Sequence, residues 1–223
     1  MQQSGVPNFA GARLSLPTSL NISAWQRRLI NYQDNIICNF LEFGWPVGYT
    51  KQTLPVTQVR NHNSALQFPD AVMDYINTEI ALEALMGPFD TPPFSPVTSP
   101  LQTVPKKGTS KRRIVLDLSF PAGFSVNDGI PPNWYMGQPL QLTYPSVDDL
   151  AALIVQHGRG CHMFKADLKR AYRQLPVCPL DYALLGFSWQ GHFYTDLRIP
   201  FGIRTGAMTC QGQPMQWLTC IRT

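Results

Sequence analysis

Residues 164–177 read FKADLKRAYRQLPV, and this stretch predicts a strand that ends in a carboxylate. Apolar and charged residues alternate over 164–166, as they do in an extended segment whose side chains point to opposite faces. Asp167 then stands at the end of the strand, where a carboxylate can hold a hard divalent cation through oxygen. The chain is expected to turn directly afterwards, so that the Tyr172 ring lies beside that ion.

Three stretches, in chain order, resemble motifs of reverse transcriptases. Residues 104–118, VPKKGTSKRRIVLDL, resemble the fingers hairpin of that family, and residues 199–211, IPFGIRTGAMTCQ, resemble its second palm motif. Between them, Asp167 followed by Ala171 and Tyr172 matches the first palm motif, which reads Asp, three residues, Ala and an aromatic.

This resemblance implies a fold class of α+β, namely the right-hand polymerase fold with fingers and a partial palm. It covers about residues 95–218, with looser agreement over 70–94. We therefore expect a mainly helical or irregular connector in residues 1–94, and reverse transcriptase fingers and partial palm in residues 95–223. The phrases GPFDTPPF, KRRIVLDLS and SVNDGI are most similar to DIRS-type retrotransposons.

In this family two divalent ions stabilise the attacking and leaving oxygens of nucleotidyl transfer. The resemblance implies that Asp167 is the catalytic carboxylate and a metal ligand, and that the backbone carbonyl of Leu168 is a second ligand. Mg²⁺, or Mn²⁺, is the expected cofactor, with two ions in the complete enzyme. From the residues alone, a surface salt bridge of Asp167 with Lys165 or Arg170 is the alternative.

The resemblance also implies that Lys106 and Arg113, on either side of the hairpin turn, clamp the triphosphate of an incoming dNTP. Arginine offers a bidentate fork and lysine a mobile point charge, so the two can neutralise one anion together. A solvated hairpin, or one that contacts RNA nonspecifically, is the alternative. The other residues expected at the nucleotide are Lys169, Arg170, Ala171, Tyr172, Phe201 and Gly202, and Gln211 is expected near the template.

Tyr172 matches the aromatic on which the deoxyribose rests in reverse transcriptases. A ring at that place leaves no room for a 2′-hydroxyl, the group that separates RNA precursors from DNA precursors. The small Ala171 before it lets the sugar approach, which favours this steric gate. A core position is the alternative, since buried aromatics are common.

Two features depart from the family. Ala207 and Cys210 stand where the family has Pro and Phe, and the sequence contains no aromatic-x-Asp-Asp motif. Its Asp148-Asp149 pair is predicted to cap a helix instead. We therefore expect a fragment that ends before the third motif, without C-terminal palm and thumb, and inactive alone. A non-catalytic nucleic-acid-binding remnant of a retroelement is the alternative.

Charge is distributed unevenly along the 223 residues, whose net charge is +4. Residues 1–100 carry five Lys/Arg against seven Asp/Glu, whereas residues 101–223 carry thirteen against seven. The basic half contains the motifs, which favours polyanionic partners: an RNA or DNA template-primer and dNTP. Missing C-terminal palm and thumb or other retroelement domains are further expected partners. No signal peptide or apolar span is visible, so an intracellular protein, cytoplasmic or nuclear, is expected.

Local signals predict the remaining elements. Ser23 is expected to cap a helix over about 24–43, and Asp70 a second helix closed by Gly87-Pro88. Residues 88–100, rich in Pro and Ser, are expected to be a linker. The other expected elements are a helix from Ser146 to about 157, a hairpin of residues 183–189 and 192–199, and a final helix from near Thr205.

Overall fold

Short helices and small antiparallel sheets build the chain in the computed structural model, which describes residues 15–31, 36–55, 59–92, 94–139, 142, 144–163, 167 and 169–210. The helices are α1 Ile22–Arg28, α2 Ile36–Phe43, α3 Asn63–Leu66, α4 Pro69–Ala81 and α5 Val147–His157, with 3₁₀ turns at Asn127–Gly129, Ala171–Gln174 and Pro179–Leu184. The strands are β1 Leu85–Phe89, β2 Leu101–Pro105, β3 Arg112–Leu116, β4 Trp134–Tyr135, β5 Gln138–Pro139, β6 Gly186–Trp189 and β7 His192–Asp196. This mixed α+β architecture agrees with the predicted fold class.

The fingers hairpin forms as predicted. Strands β2 and β3 pair antiparallel with Val104 opposite Arg113, and the Lys106 amide donates to the Lys111 carbonyl at 3.0 Å to close the turn. Gly108 has a φ of +76° in that turn, a conformation that glycine adopts without strain. One face of the hairpin is buried, while the basic turn is exposed.

A second predicted hairpin is also confirmed. Strands β6 and β7 pair antiparallel around Gln190 and Gly191, both of which have positive φ, as a tight two-residue turn requires. Strand β1 adds to the other edge of β7, which gives the sheet order β1-β7-β6. In that pairing Leu85 lies opposite Asp196. The sheet thus places Asp196 next to the end of α4.

Helix α4 differs from the prediction at both ends. It begins at Pro69, the preferred residue for a first helical position, so Asp70 lies in the first turn and does not cap the helix. Leu85, Gly87 and Pro88 belong to strand β1 rather than to the helix end and its closing turn. Leu85, Met86 and Phe89 pair with β7, while Gly87 and Pro88 lie at an irregularity between these pairs, where Gly87 has a φ of +128°. The Gly-Pro signal therefore marks a break in the register of a strand and not the end of the helix, because hydrogen bonds to β7 stabilise the strand on both sides.

The first predicted helix, over 24–43, is wrong as a single element capped by Ser23. Asn21 is the cap, since its side chain accepts a hydrogen bond from the Ala24 amide at 2.9 Å. Helix α1 ends at Arg28, and α2 runs from Ile36 to the predicted end at Phe43. Ser23 lies inside the helix, where its hydroxyl donates to the Asn21 side-chain oxygen at 2.9 Å.

Helix α5 has the predicted cap. The Ser146 hydroxyl accepts from the Asp149 amide at 3.1 Å, and the Ser146 amide donates to the Asp149 carboxylate at 2.7 Å. The hydrogen bonds that the Ser146 amide and hydroxyl donate to the Asp149 carboxylate lower the pKa of Asp149. No residue of α5 is buried against the rest of the described chain. Its apolar side chains, among them Leu150, Leu153 and Val155, are therefore exposed.

A continuous hydrophobic cluster contains residues from both sides of position 94, among them Leu41, Ile76, Leu101, Phe187 and Ile199. Segments far apart in the chain also join directly, because the Trp45 amide donates to the Pro176 carbonyl at 2.7 Å and the Trp45 carbonyl accepts from Cys178 at 2.8 Å. Across the described ranges, none of the helices combines the length and apolarity needed to cross a bilayer.

A substitution at Gly44 tests the contact between residues 44–45 and the 176–178 segment. It has a φ of +96°, and a Cβ there would lie 2.4 Å from the Val177 carbonyl oxygen. We expect Gly44→Ala to lower the free energy of unfolding by about 2–4 kcal/mol, from backbone strain plus overpacking. Urea denaturation measures this change.

Gly160→Ala is the matched control, since Gly160 has a φ of +89° but open space around its Cα. We expect a loss of about 1 kcal/mol there from the backbone alone. Equal losses in the two variants would contradict close packing of Gly44 on the 176–178 segment.

Candidate functional site

A cleft of about 790 Å³ lies between the fingers hairpin and helix α4. The hairpin lines it with Lys106, Lys111, Arg112 and Arg113, while Arg170 and Phe201 come from the two palm motifs. Helix α4 forms the opposite wall with Asp70, Asp74 and Glu79. Hence Lys106, Arg113, Arg170 and Phe201, all predicted at the nucleotide, line one cavity.

The cations of the hairpin have different surroundings. Arg112 is held in place, because its Nε donates to the Thr103 hydroxyl at 2.7 Å and its guanidinium stacks 3.7 Å above the Phe68 ring. Lys106 and Arg113 are exposed, and neither pairs with a carboxylate in the part of the chain that the structure describes. These two side chains are therefore available to an anion, as is the exposed Lys111, which also lines the cleft.

Aromatic rings connect the two palm motifs. Tyr172 packs edge-on against Phe201 with ring centroids 5.1 Å apart, and the Arg113 guanidinium lies 5.9 Å from the Phe201 ring. Tyr172 is half-buried, and burial is the main cause of the rise in its phenol pKa. The ring therefore has one side in the core and one side accessible, which suits both interpretations offered for it.

The Phe201-Gly202 turn is clamped by Asn127, a residue whose role the sequence did not reveal. Its side-chain amide donates to the Gly202 carbonyl at 2.7 Å, and its oxygen accepts from the Arg204 amide at 2.9 Å. Asn127 is buried, and Gly202 has a φ of +102° with the Leu116 carbonyl where a Cβ would be. In the sequence, the only indication was a polar Asn next to the apolar Val126 in the stretch SVNDGI.

A second feature absent from the sequence prediction is a buried ionic network around Glu79. The Arg170 Nη2 lies 2.8 and 2.7 Å from the two Glu79 carboxylate oxygens. The Arg173 Nη2 lies 2.8 Å from Glu79 and 2.6 Å from Asp196. The network thus joins α4, the first palm motif and strand β7.

The network contains two guanidinium groups and two carboxylates, so its formal charges balance. Burial alone lowers the pKa of Arg173, but the Asp196 and Glu79 carboxylates outweigh that effect and raise it. Arg173 is therefore charged in the folded chain. Burial also raises the pKa of the neighbouring Tyr75, which keeps this phenol neutral beside the carboxylates.

Asp167 and Lys169 are both exposed. No other described residue forms an ion pair with Asp167, and Arg170 pairs with Glu79 instead. Asp167 is not among the described residues that line the cleft. Ala171 lies between Arg170 and Tyr172 and is the first residue of a short 3₁₀ turn. Leu168 and Gln211 lie outside the described residues, as does Lys165.

An exposed carboxylate is a suitable oxygen ligand for Mg²⁺. However, the described residues contain no group of three Asp, Glu, His or Cys side chains placed to hold an ion. The described part of the chain therefore supplies Asp167 as a possible ligand but does not complete a metal site.

The α+β fold is similar to part of the fold of solved protease-reverse transcriptases. The native protease-reverse transcriptase of prototype foamy virus superposes with a TM-score of 0.52 and 19% identity over 93% of this chain. The foamy viral enzyme in complex with double-stranded DNA superposes with a TM-score of 0.57 and 17% identity over 96% of this chain. Its complex with an RNA/DNA hybrid superposes with a TM-score of 0.55 and 17% identity over 97% of this chain.

A curated relative points to the same class. The retrovirus-related Pol polyprotein from transposon gypsy of Drosophila melanogaster is 29% identical over 145 residues, 63% of this chain. No protein-family model matches the sequence. The match spans 12% of the gypsy polyprotein, and the solved foamy viral chains are covered over 28–38% of their lengths. The chain is thus similar to a reverse-transcriptase-like region of retroelement Pol proteins.

Removing the Asn127 side chain tests the clamp. Asn127→Ala leaves the Arg204 amide and the Gly202 carbonyl without these partners. We expect a loss of about 1–3 kcal/mol in the free energy of unfolding, the penalty for unsatisfied buried polar groups. The exposed Asn133 provides the control, and comparable losses in Asn133→Ala and Asn127→Ala during urea denaturation would contradict the clamp.

A substitution in the ionic network is expected to cause a larger loss in the free energy of unfolding. Arg173→Met removes the guanidinium shared by two buried carboxylates, and we expect a loss of about 3–5 kcal/mol in urea denaturation. Arg60→Met, at an exposed arginine, should change stability by less than about 0.5 kcal/mol. A loss below 1 kcal/mol in Arg173→Met would show that the network does not hold the fold together.

Proposed function

We propose that this chain forms the fingers and the first part of the palm of an RNA-directed DNA polymerase from a retroelement, most like the DIRS type. It binds template-primer and an incoming dNTP for two-metal nucleotidyl transfer. The observation that carries this proposal is the shared cleft of Lys106, Arg113 and Phe201, with Tyr172 packed against Phe201.

Lys106 and Arg113 bind the triphosphate in this proposal. Both are exposed at the cleft and lack carboxylate partners among the described residues, so an anion would meet unneutralised charge. Hydrogen bonds between such cations and phosphate are charge-assisted and roughly twice as strong as neutral ones. The clamp would also neutralise charge that develops on the leaving pyrophosphate.

Tyr172, Phe201 and Gly202 bind the sugar and base. The half-buried Tyr172 ring is fixed by its edge-on contact with Phe201, so it cannot move aside easily for a 2′-hydroxyl. Gly202 lets the backbone approach the ligand. Ala171 and Lys169 complete the nucleotide pocket, and Gln211 contacts the template.

Asp167 and the Leu168 carbonyl hold Mg²⁺, or Mn²⁺, together with ligands that the described residues do not supply. When bound, the ions would stabilise the attacking and leaving oxygens. The chain contains no aromatic-x-Asp-Asp motif, and we expect the isolated chain to give no primer-extension product. A C-terminal palm and thumb, or other retroelement domains, are the proposed partners within an intracellular complex.

Nucleic acid is the proposed macromolecular partner. Foamy viral protease-reverse transcriptases of similar fold have been solved with double-stranded DNA and with an RNA/DNA hybrid. The excess of cations in residues 101–223 supports such a partner, since phosphate neutralisation dominates nucleic-acid affinity.

Binding of an RNA/DNA template-primer at several salt concentrations tests the proposal. We expect affinity to fall with rising salt, and the double variant Lys106→Ala/Arg113→Ala to bind at least tenfold more weakly with a log-log salt slope reduced by up to about two. Fluorescence anisotropy measures both quantities. Asp167→Asn should bind in metal-free buffer as the parent does.

Arg27→Ala/Arg28→Ala is the matched control, because it removes the same charge from exposed positions on α1 that do not line the cleft. We expect it to retain most of the affinity. Equal binding by the parent and the hairpin variant would contradict a contact between these two cations and the template-primer.

A further inference from the structure

We infer that Arg170 is a positioning residue: through Glu79 it holds the turn that presents the Tyr172 gate, and so it sets sugar discrimination without binding the triphosphate through its guanidinium. This inference rests on the proposed function, because it concerns the same nucleotide site. It gives Glu79, which no motif singles out, a role in that site.

The geometry of the pair is the first support. The Arg170 Nη2 reaches both oxygens of Glu79, at 2.8 and 2.7 Å. Glu79 is almost completely buried, with 4% of its side chain exposed, whereas 31% of the Arg170 side chain is exposed. Arg170 thus lines the cleft while its guanidinium is directed to a buried carboxylate at the cleft wall.

The charges of the network explain why Arg170 stays there. Glu79 and Asp196 are both buried and share Arg173 as a partner. If Arg170 turned to a triphosphate, two buried carboxylates would be left with one guanidinium between them. Breaking a buried ion pair is strongly unfavourable, because it leaves a desolvated charge without compensation. Lys106 and Arg113 are free of that constraint and are better placed to meet an anion.

The backbone transmits this constraint to Tyr172. Arg170 has left-handed φ and ψ of 57° and 39°, a conformation uncommon for a residue with a side chain, and the 3₁₀ turn Ala171–Gln174 follows at once. The Gln174 side chain donates to the Lys169 carbonyl at 2.7 Å and ties the turn at its other end. Such conformations persist when the surroundings hold them, and the Glu79 contact does so here.

The gate itself sits in tight surroundings. Beyond its contact with Phe201, the Tyr172 ring lies so close to Gly206 that a Cβ there would be 3.2 Å from the ring. A small rotation of the turn would therefore move the ring relative to both neighbours. Since a steric gate excludes a 2′-hydroxyl by distance alone, losing the anchor should relax discrimination more than affinity.

The test compares binding of dATP and ATP, each with Mg²⁺, to the full chain and its variants by calorimetry. Arg170→Gln and Glu79→Gln should both reduce the preference for dATP at least fivefold, with less than threefold change in dATP affinity. Arg159→Gln, at an exposed cation that does not line the cleft, should leave the preference unchanged. Combined with Tyr172→Ala, Arg170→Gln should have no further effect on the preference.

The opposite result is equally clear. If the Arg170 guanidinium binds the triphosphate, Arg170→Gln weakens dATP and ATP equally, tenfold or more, while Glu79→Gln frees the guanidinium and tightens both. That pattern would overturn the inference. A preference unaffected by Arg170→Gln would overturn it as well.

A measurement without ligand separates this inference from the proposed function and does not depend on Glu79→Gln folding well. Amide hydrogen exchange over residues 171–175 should be at least tenfold faster in Arg170→Gln and unchanged in Arg159→Gln. Unchanged exchange in both would overturn the positioning role. If the parent chain bound neither nucleotide, the proposed function would fail, whereas the exchange rates would still decide whether Arg170 holds the turn.

Discussion

The ion pairs of Glu79 are the interaction on which the rest of the structure depends. One buried carboxylate on α4 receives guanidinium groups from two residues of the first palm motif, Arg170 and Arg173, and Arg173 continues to Asp196 on β7. A buried charge without a partner is very unfavourable, so each member requires the others. Helix, motif and sheet are therefore held in one relative arrangement.

The cations of the basic half differ in what surrounds them. Arg173 is neutralised inside the network, and Arg112 packs on Phe68 and Thr103, so both serve the fold. Lys106 and Arg113 remain exposed at the cleft, where unneutralised charge can attract phosphate. The same residue types are thus held by the fold or left exposed according to the carboxylates and rings that surround them.

Hydrogen bonds from a distant segment hold the turn that carries Phe201, a residue of the cleft. Asn127 joins the segment after the fingers hairpin to the Phe201-Gly202 turn, and its partners leave that turn little freedom. Phe201 in turn packs against Tyr172, which follows Arg170 by two residues. A path of contacts and short chain segments therefore runs from Asn127 through Phe201, Tyr172 and Arg170 to Glu79.

The sequence by itself determined the elements whose signals are local. The turn at Gly108, the turn at Gln190-Gly191 and the Ser146-Asp149 cap each depend on residues within a few positions of one another, and each formed as predicted. Only the tertiary structure decided that Leu85, Met86 and Phe89 pair with β7 on either side of Gly87-Pro88, and that Arg170 turns to Glu79, 91 residues earlier in the chain. The physical reason is that strand pairing and charge burial depend on neighbours in space, and one sequence does not specify which distant residues those neighbours are.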